Sequence, residues 1–117
     1  MKTRKDIIAK LSKRDFDKLS FVEKIELISA RYYEKQKITY EEYVILLATN
    51  DEVWFIYKDK EYQVEHDLKH VAMCITRYEG KIGILEYHEK FSSVIELLDK
   101  FKIEGKRIRD IWEAVTY

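Results

Sequence analysis

The chain has 117 residues, no proline, three glycines, one cysteine, and 22 basic against 22 acidic side chains. That length fits one domain with a buried core; a single Cys excludes an internal disulfide and fits a reducing compartment; and a net charge of zero gives no global field to attract nucleic acid or anionic membrane. With Gly only at positions 80, 83 and 105 there is no linker and no Gly-rich phosphate loop, and without a membrane-length apolar run or a signal-peptide core the expectation is a soluble cytoplasmic protein.

The elements follow in order. Thr3-Arg4-Lys5-Asp6 is a capping arrangement that opens a short helix with Ile7, Ile8 and Leu11 at helical spacing. Residues 12–18 are charged and read as a loop docking Phe16. Ser20-Phe21-Val22-Glu23 is an S-x-x-E box before Phe21, Ile25, Ile28 and Tyr32, with Val22 and Leu27 broadening the stripe, so a helix is predicted over about 21–36. Thr39-Tyr40-Glu41-Glu42 caps a third helix, with Ile38 and Tyr43 as a hydrophobic staple; its body is apolar nearly all round, which predicts burial, and Asn50 stops it.

Residues 53–87 carry two hairpin patterns. With Asp59-Lys60 as the first loop, Tyr57 pairs with Tyr62, Phe55 with Val64 and Val53 with His66. One face is then Val53, Phe55, Tyr57, Tyr62 and Val64, and the other sets Trp54, Ile56 and Lys58 against Glu65, Gln63 and Glu61. With Tyr78-Glu79-Gly80 as the second loop, Met73 pairs with Leu85 and Val71 with Tyr87. The remaining face, Ala72, Cys74 and Thr76 against Ile82, Ile84 and Glu86, is mostly apolar, as suits the more central pair of a four-stranded sheet. Ser93-Val94-Ile95-Glu96 then caps a helix containing Leu97, Leu98 and Phe101, and Gly105 separates it from a last helix with Ile108, Ile111, Trp112 and Val115 on one face. The expected fold is α+β in a single domain, residues 1–117: a helical N-terminal half (1–50) packed with a four-stranded antiparallel meander and two C-terminal helices (51–117).

The aromatic hairpin Phe55-Ile56-Tyr57-Lys58-Asp59-Lys60-Glu61-Tyr62, together with the closing run from Phe91-Ser92-Ser93 through Phe101-Lys102-Ile103-Glu104-Gly105-Lys106 to Asp110-Ile111-Trp112, resembles small uncharacterised proteins of Gram-positive bacteria and their phages or mobile elements. The resemblance spans about residues 53–115. It implies a small accessory or host-interaction protein and carries no activity or site residue.

Catalytic and metal-binding patterns are thin. His66 and His70 are four apart, which on a helix presents two ligands on one face, but here the spacing crosses a strand end and a connection. With His88 or Cys74 they form a ligand set only if these side chains converge. Cys74 lacks a base outside those histidines, and Glu41-Glu42 and Asp51-Glu52 are explained by a helix first turn and a turn before a strand. The reading is therefore no enzyme, no cofactor and no metal, with an enzyme whose site is not visible in the sequence as an alternative.

Charge is distributed unevenly: residues 1–37 hold eleven basic and six acidic side chains, and residues 39–67 two basic and eight acidic. A nucleic-acid-binding alternative uses Arg4, Lys5, Lys10, Lys13 and Arg14, joined by Lys102, Lys106, Arg107 and Arg109 if the chain ends meet. The preferred expectation is a non-catalytic accessory protein that binds a protein partner through the first hairpin, at Trp54 and Ile56, and its acidic surroundings, Glu41, Glu42, Asp51 and Glu52. Nine tyrosines and two tryptophans supply interface-type anchors. A hairpin edge can also add strands to a partner, including a second copy.

Overall fold

The computed structural model describes residues 3–49 and 52–117. Its order is α1 (Arg4–Leu11), α2 (Phe21–Tyr33), α3 (Tyr40–Thr49), β1 (Glu52–Tyr57), β2 (Lys60–His66), β3 (Val71–Glu79), β4 (Ile82–Phe91), α4 (Val94–Lys100) and α5 (Ile108–Ile111), with single 3₁₀ turns at Phe16–Lys18 and Trp112–Ala114. This is an α+β fold with one antiparallel sheet in the order β1-β2-β3-β4. The chain condenses into two compact units, residues 1–46 and 47–117.

In the first unit the caps form as their spacing requires. Thr3 and Asp6 exchange side-chain and backbone bonds at 3.1 and 3.2 Å, Ser20 and Glu23 at 3.1 and 3.0 Å, and Thr39 and Glu42 at 3.1 and 2.8 Å, each pair satisfying two amides that the helix start leaves free. Leu11, Leu19 and Leu27 form one apolar cluster, with Ile7, Ile8 and Phe16 packed against it. Ile38 and Tyr43, at the two staple positions, are both fully buried.

Two details depart from the sequence reading. Phe21 and Val22 are exposed, and the inward side of α2 is Leu27, Ile28, Ala30 and Tyr32. These two stand in the first turn, ahead of the buried residues of the helix. The helix also stops at Tyr33 rather than 36. Lys35 takes a φ of 60°, the Gln36 amide donates to the Arg31 carbonyl at 2.9 Å and the Lys35 amide to Tyr32 at 3.0 Å. That is a Schellman stop with lysine where glycine is usual. The expected terminator of α3, Asn50, lies outside the described residues.

In the second unit both hairpins close on two-residue loops. Lys58 and Asp59, at φ 48° and 65°, form the first, and the pairs are Tyr57 with Lys60, Phe55 with Tyr62 and Val53 with Val64. Both loop residues are left-handed, as a primed turn matching strand twist demands. The register is two residues from the expected one, so Val53 to Tyr57 and Glu61 to Glu65 keep their predicted faces, while Lys58 moves from the strand into the loop and Lys60 from the loop into the strand. The second loop is Gly80-Lys81, with Gly80 at φ 61°. Ile75 pairs with Tyr87 and Thr76 with Leu85, which leaves Glu86 as the extra residue of a bulge. The bulge moves Leu85 onto the face of Thr76, while Ile82 and Ile84 join the face of Glu79 and Arg77, the reverse of the expected sorting. Nor is the second hairpin the central pair: the inner strands are β2 and β3, and β4 is an edge whose side chains are largely exposed.

One sheet face carries the core of this unit. Phe55 stacks on Tyr62 at 5.0 Å and meets Trp112 edge-on at 6.0 Å, and Phe101 lies 6.1–6.5 Å from Tyr62, Tyr87 and Phe91. Ile108, Ile111, Trp112 and Val115 are all buried, as their spacing predicts. Ser93 accepts from the Glu96 amide at 3.1 Å, but the Glu96 carboxylate turns to the amide and hydroxyl of Ser92, so the capping box is shared between two serines. Past β1, Thr116 exchanges two backbone bonds with Ile56, at 2.6 and 2.9 Å, and so occupies that sheet edge.

Left-handed lysine at position 35 is strained relative to glycine. Lys35→Gly is expected to raise the free energy of unfolding by roughly 0.5–1 kcal/mol, whereas Lys35→Ala leaves it near the starting value. Urea denaturation of both variants checks this, and a destabilised glycine variant would contradict the account.

Candidate functional site

The sheet face opposite the aromatic core is set by register alone. Cross-strand partners share a face, so Ile56, Glu61, Thr76 and Leu85 form one row, Trp54, Gln63, Cys74 and His88 the next, and Glu52, Glu65, Ala72 and Lys90 a third. Burial falls along this face. Ala72 and Cys74 are buried and Trp54 is half-buried, while Ile56 is 41%, Tyr78 52% and Leu85 60% exposed.

Tyr78 is held in place. Its hydroxyl donates to Glu61 at 2.7 Å, and its ring covers Gly83, where an added Cβ would stand 3.1 Å from the ring. The Glu61 carboxylate raises the Tyr78 phenol above its usual value. On the first hairpin, this face presents Glu52, Glu61 and Glu65 and no cation.

The other sequence candidates sort as follows. Glu41 is exposed; Glu42 caps α3 and lies 3.7 Å from Arg31. Asp51 is outside the described residues. His66 pairs with Val71 and His88 with Cys74, which places the two imidazoles on opposite sheet faces; His70 lies 3.7 Å from Asp67 in the connection. Among the described residues no three potential ligands gather around a metal position. Burial, and secondarily Glu65, push the Cys74 thiol up, away from a reactive thiolate.

Several of the cations have partners. Arg14 pairs with Glu23 at 2.6 Å, Arg107 with Asp99 at 3.2 Å, and the Arg4 guanidinium sits 4.8 Å from the centre of the Tyr33 ring. Lys5, Lys10, Lys13, Lys106 and Arg109 are exposed. The N-terminal and C-terminal basic sets belong to different units. No described helix is long and apolar enough to cross a membrane.

Sequence reasoning missed Tyr78 and Leu85. Tyr78 reads as a loop residue when the turn is started two residues early, and Leu85 changes face only through the bulge at Glu86. No protein-family model matches this chain, and no curated protein or solved structure matches it either.

Across the sheet, Tyr87 donates to Glu89 at 2.5 Å, and its phenol is pushed up to about 12, first by burial and then by the Glu89 carboxylate. A raised folded value means stability that is complete below the unfolded tyrosine value near 10 and is lost as pH rises through about 12. Glu89→Gln is expected to lower the Tyr87 midpoint without restoring it to 10, since burial remains. Titration of ring-labelled tyrosine by NMR reads this, and an unchanged midpoint would rule out the carboxylate's part.

Proposed function

We propose that this chain is a non-catalytic binding module that holds a basic surface of another protein on the exposed end of the second sheet face. The carrying observation is that Ile56, Tyr78 and Leu85 are exposed together on strands spanning about 14 Å, beside three carboxylates of the first hairpin. A pinned tyrosine and two branched aliphatics give an apolar centre with little side-chain entropy left to lose, which is the anatomy of a binding hot spot. The acids around them favour a cationic partner and would speed its approach at low salt. Trp54 stands half-buried in the adjacent row of the same face. An accessory role of the kind implied by the resemblance to mobile-element proteins suits a module of this size.

The nucleic-acid alternative draws less support. Arg4, Arg14 and Arg107 already have partners within their own units, and the first turn of α3 is acidic.

Ile56→Asp and Leu85→Asp alter exposed positions and are expected to fold, by circular dichroism, while losing about tenfold or more in affinity for a partner captured by the wild type. Capture should weaken further in high salt. A folded Ile56→Asp variant that retains every captured protein would remove this reading.

A further inference from the structure

The aromatic face of the sheet does not close completely. Between the first hairpin, Tyr87 and the segment 101–104 lies a cleft of about 510 Å³, inside the roughly 300–1,000 Å³ range that encloses small ligands. All of its walls belong to the second unit. Its floor is aromatic: Tyr57, Tyr62 and Phe101 are buried beneath it, and Phe101 stands 6.3 Å from Tyr62 and 6.1 Å from Tyr87.

Two left-handed turns make one lip. Lys58-Asp59 closes the first hairpin; Glu104-Gly105, at φ 53° and 80°, closes a small reversal in which Ile103 and Lys106 exchange both backbone bonds. The Lys58 ammonium meets the Glu104 carboxylate at 2.8 Å and joins the two turns. The rest of the rim carries Lys60, Lys102 and Glu89. Lys60 is held by Glu86 at 2.8 Å, the Glu89 carboxylate accepts from Tyr87, and Lys102 has no ion-pair partner among the described residues.

We propose that this cleft binds a small planar aromatic anion, its ring lying against Tyr62, Tyr87 and Phe101 and its carboxylate or phosphate meeting Lys102 and Lys60. Ring faces and edges at about 6 Å from one another offer stacked and edge-on contacts to a flat guest. An anion gives Lys102 the counter-charge it lacks. The site lies on the face opposite the exposed patch, so it stands or falls independently of the protein-binding reading.

The test is an amide-shift NMR titration of the full chain with four probes: naphthalene-2-carboxylate, naphthalene-2-methanol, hexanoate and inorganic phosphate. The carboxylate should bind with a Kd below about 1 mM and move amides at positions 57–62, 75, 87 and 101–104. Removing either the charge or the ring should weaken binding about tenfold, and Lys102→Glu, at an exposed position, should do the same. The proposal fails if no amide moves at about 5 mM probe, or if the shifts map elsewhere. It fails equally if phosphate or hexanoate binds as well as the aromatic acid, or if Lys102→Glu binds it unchanged.

Discussion

A β-strand hands its side chains alternately to two faces, and in residues 52–117 nearly everything follows from which face receives Phe55 and Tyr62. Those two stack as a cross-strand pair, and Trp112 and Phe101 close over them from the C-terminal segments. With the even positions of β1 sent the other way, Trp54 and Ile56 take the opposite face. The left-handed Lys58-Asp59 turn fixes this alternation, because a loop longer or shorter by one residue would turn one strand over against the other.

The bulge in β4 breaks the alternation, and the break has a chemical effect. Lys60 and Arg77 are cross-strand partners on the aromatic face, and Glu86 reaches both, at 2.8 and 2.6 Å. An unbroken strand would aim Glu86 away from them. The two cations hold its carboxyl below the ordinary range, Lys60 first. Such exposed pairs contribute about 0–1 kcal/mol each, so their importance here is positional: they orient side chains at the rim of the cleft, as the Lys58–Glu104 pair does.

What could be read in advance was whatever depends on short, chemically specific spacing. The Ser and Thr boxes at residues 3, 20 and 39 capped helices where expected, and the apolar spacing of Ile108, Ile111, Trp112 and Val115 gave a buried face. Harder to see was anything set by backbone conformation without its usual residue. Lysine ends α2 in the left-handed region, and lysine with aspartate forms the first hairpin loop, so neither position carries the glycine or asparagine that would mark it. The bulge has no sequence mark of its own, and it turns Glu86 toward Lys60 and Arg77. One of the three patch residues was accordingly legible: Ile56 was visible, whereas Tyr78 and Leu85 depended on a loop boundary and the bulge.

The pairing of Thr116 with Ile56 also bears on how the chain acquires its fold. On the ribosome β1 emerges before Thr116, so the edge of β1 that Thr116 covers lacks that partner until the later segment follows. The earliest strand is the last to be covered. Until then the Ile56 amide and carbonyl are open to any extended segment nearby, and the segment that carries Thr116, with Tyr117 stacked on Trp112, closes them.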